Sequence, residues 1–203
     1  MGDNAHLLLI FYILSLFPLS HLRAIIIYIM KRGYISMQTN RLTLSALLIA
    51  IGTLTANLFY IPAGISKCFP VQHCINVIAA ILLGPGYATG IGFGIALLRN
   101  MFGLGSILAF PGSMIGAFCA GIMYLRFRNV KAAMLGEIFG TGILGGFVSF
   151  IIVQYVLGKE TVAWFFIPPF LVSTIGGSII AGLLVKSGAL NTVMPKFYNK
   201  TNH

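Results

Sequence analysis

Hydrophobic residues follow one another in long runs from about residue 42 to residue 185, and glycine, proline or basic residues separate the runs. Apolar and polar positions do not alternate, so the pattern favours helices over the strands of a membrane barrel. We predict six helices, at residues 42–60, 73–83, 87–102, 111–125, 132–157 and 162–185. Pro168 and Pro169 predict that the sixth helix is kinked or begins late.

Composition identifies the solvent in which these helices fold. The chain has 203 residues, of which 58% are hydrophobic and 8% are charged, whereas a soluble domain has about a quarter charged residues. The sequence therefore predicts an all-α integral membrane protein with one six-helix transmembrane bundle at residues 37–188 and a basic tail at 189–203. The net charge of +10 does not indicate nucleic-acid binding, because the basic residues cluster at helix ends.

The distribution of charge predicts the orientation of the bundle. Six spans place both ends on one side, and that side receives Arg41, Arg126, Arg128, Lys131, Lys186, Lys196 and Lys200. The opposite side receives only Lys67, Lys159 and Glu160. Since basic loops stay in the cytoplasm, we predict a multi-pass plasma-membrane protein with both ends of the six-helix region cytoplasmic.

Residues 1–36 permit three interpretations. They contain apolar stretches at 7–17 and 22–30, which Pro18 and nearby polar residues interrupt. The segment could form a seventh helix, lie in the membrane interface, or precede the true start of translation at Met37. It lacks the layout of a signal peptide, and we assign it no function.

Polar side chains occur where the predicted helices are otherwise apolar, at the outer ends of three of them. They are Gln72, His73 and Asn76 on the second helix, Arg99 and Asn100 on the third, and Ser113 at the start of the fourth. Each of these side chains could form a hydrogen bond between helices, and the arginine could extend its side chain to the headgroups. Together they favour a polar pocket that opens outward.

Glu137 is the only acidic residue within the predicted spans. We expect it in the inner third of the fifth helix, where the helical rise separates it from Arg99 by on the order of 10–15 Å along the membrane normal. A direct salt bridge is therefore disfavoured. Glu137 would instead be protonated or paired with hydroxyls such as that of Thr141, one turn away.

Motifs for catalysis are not found. Ser113 and His73 could form a hydrolase dyad at similar depth, but no GxSxG sequence surrounds the serine. The chain contains no HExxH, Walker A or dinucleotide fingerprint, so we predict no catalytic residues, no metal and no cofactor. Transport against a gradient would need energy from a partner subunit. A self-sufficient secondary carrier usually shows internal repeats, and none is convincing here.

Three segments resemble the ThiW family: "FPVQHCINVIAAILLGP", "LLRNMFGLGSILAFPGSMIGA" and "GEIFGTGILGG", within residues 40–186. Members are identified as substrate-binding S components of energy-coupling factor (ECF) transporters for hydroxyethylthiazole, a thiamine precursor. The resemblance implies a six-helix bundle whose partners are a transmembrane T subunit and two ATPases. It also implies that the loop at 61–71 covers the ligand, and that Ala46 and Ala50 contact the T subunit.

The resemblance also assigns roles to the polar residues. Gln72, His73, Asn76 and Asn100 would supply hydrogen-bond donors and acceptors to a small neutral thiazole. Ser113 and Glu137 are also predicted to be substrate-binding residues. Trp164 is a candidate for stacking on the ring, or an anchor at the membrane interface. Arg99 would donate to the ligand hydroxyl, or would indicate a phosphorylated ligand. The alternative function is a self-sufficient secondary carrier or an intramembrane enzyme for a small polar substrate.

Overall fold

The computed structural model describes residues 37–58, 61–63, 66–158, 162–188 and 190. Within these ranges the chain forms six helices: α1 (Met37–Leu58), α2 (Pro70–Leu83), α3 (Pro85–Met101), α4 (Ala109–Phe127), α5 (Val130–Val156) and α6 (Ile167–Lys186). A short antiparallel hairpin, β1 (Ile61–Ala63) and β2 (Ser66–Cys68), joins α1 to α2. The predictions for residues 1–36, for Lys159 and Glu160, and for nearly all of the tail lie outside the described residues.

The helix boundaries agree with the predicted ones to within about five residues. α6 begins at Ile167, after a 3₁₀ turn at Ala163–Phe165, so the late start of the sixth helix is confirmed. Pro168 and Pro169 lie in its first turn, where a missing backbone N–H breaks no helical hydrogen bond. The hairpin was not predicted, because three-residue strands leave no periodic pattern.

Within the described part of the chain, three helices are long and apolar enough to cross a membrane by themselves: α4, α5 and α6. α2 is apolar but has 14 residues, and α3 has 17 residues and carries Arg99. Large hydrophobic side chains such as Phe118, Phe139, Phe147 and Leu183 are exposed on the outer faces. An apolar exterior of this kind is typical of a helical bundle that faces lipid.

α2 is the central helix of the bundle. It contacts α1, α3, α4, α5 and α6, and every residue from Pro70 to Leu83 except Val71 is buried. A helix that is enclosed on all sides is hydrophobic all round, which explains the unbroken apolar run after Asn76. Gly84, with φ +84°, makes the tight turn into α3.

α4 and α5 approach each other along a seam of glycines. A Cβ added to Gly140 would lie 2.8 Å from Gly116 Cα, and one added to Gly145 would lie 2.6 Å from Gly112 Cα. The seam steps by four residues on α4 and by five on α5. α5 is π-helical over Ile138–Gly145, and the wider π turn accommodates the extra residue. The glycines thereby allow the backbones of α4 and α5 to pack closely.

The hairpin is fastened to the start of α6. Cys68 Sγ donates to Pro169 O at 3.2 Å, and the backbone N–H of Phe69 donates to Ser173 Oγ at 2.8 Å. These two bonds hold the residues that precede α2 next to the end of the bundle where α6 begins.

Candidate functional site

A cluster of buried polar side chains connects four helices inside the bundle. We call it the interior polar network, and its members are Gln72, His73 and Asn76 on α2, Arg99 on α3, Ser113 on α4, and Glu137 and Thr141 on α5. Each has an exposed fraction of 8% or less. Buried polar groups in an apolar bundle require hydrogen-bond partners, and most of these partners are other members of the network.

Arg99 forms one end of the network. Its Nη1 donates to Gln72 Oε1, and Gln72 Nε2 donates to Ser113 Oγ at 2.9 Å. Arg99 Nη2 lies 3.4 Å from Leu104 O in the loop after α3. The ring of Phe69 covers the guanidinium, with Cζ 3.6 Å from the ring centroid. The arginine therefore points into the bundle and does not extend to the headgroups, the alternative that the sequence left open.

Asn76 connects the two ends of the network. Its Nδ2 lies 3.0 Å from Glu137 Oε1, 3.2 Å from Ser113 O and 3.4 Å from Ser113 Oγ. All three neighbours can accept a hydrogen bond, so this contact set fixes the orientation of the amide.

Glu137 forms the other end. Its Oε1 lies 2.8 Å from His73 Nδ1, and it receives hydrogen bonds from Asn76 Nδ2 and from Thr141 Oγ1 at 2.9 Å. The predicted pairing with the Thr141 hydroxyl is confirmed. Among the described residues Arg99 and Glu137 form no ion pair with each other. Gln72 and Asn76, one turn apart on α2, connect the two charged residues through Ser113.

Three glycines leave room for the network. A Cβ on Gly92 of α3 would lie 2.8 Å from Ser113 Oγ, and one on Gly116 of α4 would lie 2.8 Å from Glu137 Oε2 and closer still to the Thr141 hydroxyl. A Cβ on Gly177 of α6 would lie 2.6 Å from His73 Cβ. The sequence offered no means of distinguishing these glycines from the many that serve helix packing alone.

Two of the predicted site residues lie outside the network. Asn100 Nδ2 donates to Ala96 O at 2.8 Å, within its own helix, and to Ser106 O at 3.1 Å. Trp164 is 76% exposed, in the 3₁₀ turn before α6. Sequence reasoning missed Phe69, because an aromatic residue beside a proline gives no signal of stacking on a distant arginine.

Several polar atoms of the network have no hydrogen-bond partner within the described part of the chain. They are Asn76 Oδ1, Arg99 Nε and Glu137 Oε2. The network thus retains both donor and acceptor capacity for a small molecule. Ser113 Oγ receives its bonds from amides and forms none with His73 in the described structure, so its geometry differs from that of a nucleophile and its base.

Comparison with known proteins identifies a family. The family model of the thiamine-precursor transporter protein ThiW matches residues 42–190, well over half of the chain. Curated proteins and solved structures give no match. The matched region contains every member of the interior polar network and all six helices except the first five residues of α1. The chain belongs to the ThiW family of thiamine-precursor transporters.

Proposed function

We propose that this protein is the substrate-capturing S component of an ECF-type importer, and that it binds hydroxyethylthiazole from outside the cell. The observation that carries the proposal is the interior polar network, which lies around the central helix of an otherwise apolar bundle. A polar cluster that is enclosed by apolar helices is the usual form of a binding site for a small ligand.

The chemistry of the network supports a ligand of this type. Hydroxyethylthiazole is small and neutral, with an aromatic ring, an acceptor nitrogen and one hydroxyl group. Gln72, His73, Asn76, Arg99, Ser113 and Glu137 offer amide, imidazole, guanidinium, hydroxyl and carboxyl groups. The Phe69 ring, already stacked on Arg99, adds an aromatic surface at the edge of the network. We place the ligand beside these residues, and we leave Asn100 and Trp164 out of the site.

The segment before α2 is proposed to cover the ligand. It corresponds to the loop at 61–71, and in the structure it contains the hairpin and Phe69. Among its described residues, two hydrogen bonds attach it to α6, at Pro169 O and Ser173 Oγ. Both bonds can open without unfolding the helices, which would give the ligand a route to the network.

Energy for uptake would come from a T subunit and two ATPases, because the chain has no nucleotide-binding motif of its own. We propose that α1 contacts the T subunit through Ala46 and Ala50. Ala46 is exposed and Ala50 half-buried, and with the exposed Leu42 and Leu54 they form one stripe at four-residue spacing. Small residues in such a stripe allow close approach of another helix.

We further propose that all six helices cross the plasma membrane, with both ends of the six-helix region in the cytoplasm. α1 has 22 residues and is long enough to span but is less apolar than α4, α5 and α6, whereas α2 and α3 have 14 and 17 residues. Their polar residues are consistent with spanning because Arg99 bonds inward and the buried hydroxyls of α1 bond to their own helix.

Binding to purified protein tests the proposal. The full chain in detergent micelles, without any ATPase, should bind hydroxyethylthiazole in isothermal titration calorimetry. The variant Asn76→Ala should lose binding by at least about 10-fold, because it removes the amide that joins both ends of the network. Thr53→Val is the matched control, since Thr53 is buried but bonds only within α1.

Two results would contradict the proposal. Absence of heat with every thiazole and thiamine precursor would refute the binding role. Uptake of hydroxyethylthiazole by vesicles that contain this chain alone would instead favour a self-sufficient carrier.

A further inference from the structure

The interior polar network is balanced in charge before any ligand binds. Among the buried side chains of the described residues, Arg99 and Glu137 are the only ones with a formal charge when His73 is neutral. Gln72, Ser113 and Asn76 join them through successive hydrogen bonds. A protonated imidazole would add an unbalanced positive charge in an apolar interior, which is unfavourable. The balanced state is therefore guanidinium, carboxylate and neutral imidazole.

Glu137 determines which nitrogen of His73 carries the proton. Glu137 Oε1 lies 2.8 Å from His73 Nδ1 and also accepts from Asn76 Nδ2, which can only donate. A carboxylate oxygen in this position accepts a proton from Nδ1–H. In a neutral imidazole the lone pair then lies on Nε2. His73 thus presents an acceptor, and Glu137 is the residue that positions it.

The imidazole is also the most accessible member of the network. His73 has the largest exposed fraction of the seven, at 8%, and its side chain is 11% exposed whereas that of Glu137 is fully buried. No described residue forms a hydrogen bond with Nε2. The accessible imidazole is thus carried by α2, the helix that contacts the other five helices of the bundle.

The capacity of Arg99 for an anion is reduced for three reasons. Its Nη1 and Nη2 each donate one hydrogen bond, to Gln72 Oε1 and Leu104 O, which leaves Nε as its unpartnered nitrogen among the described residues. The Phe69 ring covers its face, and the carboxylate of Glu137 balances its charge. A phosphate monoester would bring about −1.5 to −2 charges into this network. It would also lack the free hydroxyl group from which Nε2 can accept a hydrogen bond.

Building on the proposed function, we propose that His73 Nε2 accepts the hydroxyl hydrogen bond of a neutral heterocyclic alcohol, and that the site rejects the phosphate ester of the same alcohol. Recognition of the free alcohol places this protein before the phosphorylating step. The class of reaction that must consume the imported molecule is then phosphoryl transfer to its hydroxyl group.

Three probes test the specificity with the purified full chain: hydroxyethylthiazole, its phosphate ester, and 5-ethyl-4-methylthiazole, which lacks the hydroxyl. We expect the ester and the ethyl compound each to bind about 10- to 100-fold more weakly than the alcohol, because each loses the bond to Nε2. Equal or tighter binding of the ester, or equal binding of the ethyl compound, overturns this inference but leaves the proposed function intact. If none of the three binds, both are refuted.

A second measurement reads the imidazole directly in the wild-type chain. ¹⁵N-histidine NMR of the wild-type chain should show one neutral imidazole protonated at Nδ1, identified as His73 by its absence from the His73→Gln spectrum. Addition of the alcohol should shift its Nε2 resonance, whereas addition of the ethyl compound should not. A Nε2–H tautomer or a doubly protonated ring in the free protein would overturn the assignment.

Discussion

α1 and α2 both bury polar side chains, and they satisfy them in different ways. In α1 the buried hydroxyls of Ser45, Thr53 and Thr55 donate to the backbone carbonyl four residues earlier, at 2.7–2.8 Å. In α2 the amides and the imidazole bond to residues between 27 and 64 positions away in the chain. α1 satisfies these buried hydroxyls with its own backbone, whereas α2 depends on groups of neighbouring helices for its polar side chains.

The difference follows from the length of the side chain. A hydroxyl on Cβ reaches the carbonyl of the preceding turn, so serine and threonine enter an apolar helix at little cost. Asparagine, glutamine and histidine have two polar atoms each, and a helical backbone cannot satisfy both. They require another helix or a ligand. The type of polar residue, more than the number of them, therefore distinguishes a site from a tolerated helix.

The largest expected effect comes from removing one charge of the network. Arg99→Met and Glu137→Gln should each lower the free energy of unfolding by about 3–5 kcal/mol, because each leaves the opposite charge buried without its counterpart. The double variant should lose less than the sum of the two. Unfolding of the detergent-solubilised protein by a denaturing surfactant measures all three. Strict additivity would show that the two charges are not coupled through α2.

A smaller effect is expected from one methyl group on α3. Gly92→Ala would place a Cβ 2.8 Å from Ser113 Oγ and 3.1 Å from Ser113 O, so it should cost about 1–3 kcal/mol of stability and displace the Ser113 hydroxyl. Gly90→Ala, two residues away, meets no atom within 4 Å and should be neutral or stabilising by up to about 1 kcal/mol. Thermal-shift assays distinguish the two. Equal melting temperatures would mean that α3 does not pack against the network as described.

The helices of this fold were predictable, because apolar runs separated by glycine and proline define them directly. Most of the network was also predictable, since Gln72, His73 and Asn76 interrupt an apolar helix and cannot be satisfied within it. The partner of Glu137 was harder to predict. Thr141 is one turn away and could be inferred, but the bond to His73 depends on how α2 and α5 pack, which one sequence does not specify.

Other features had no signal in the sequence. The π-helical stretch at Ile138–Gly145 coincides with contacting glycines that are four residues apart on α4 and five residues apart on α5. Neither helix shows this match by itself. The hydrogen bonds of Asn100 within α3 and to the following loop could not be predicted either. Arg99 and Asn100 are adjacent in the sequence, and the sequence does not show that Arg99 alone points into the network.

Thr141→Val, a nearly isosteric change, tests whether a hydroxyl of the interior polar network differs from the buried hydroxyls of α1. The hydroxyl donates toward Glu137 Oε1 and Gly112 O, so its loss should cost about 1–2 kcal/mol and weaken ligand binding several-fold. Thr53→Val removes an equally buried hydroxyl that bonds only to Ile49 O, and should leave binding unchanged. Calorimetry and surfactant unfolding on both variants provide the check. A larger loss of binding from Thr53→Val would reverse the distinction between the two helices.

The smallest effects are expected at the two polar or aromatic residues outside the network. Asn100→Ala should lower stability by about 1 kcal/mol or less, because its bonds join a helix end to the adjacent loop, and it should change ligand affinity by less than about twofold. Trp164→Phe should behave similarly, since the indole is 76% exposed. Calorimetry with hydroxyethylthiazole measures both affinities. A tenfold loss from Asn100→Ala, at unchanged stability, would mean that the loop after α3 closes on the ligand, and the site would then extend from the α2 side chains to Ser106.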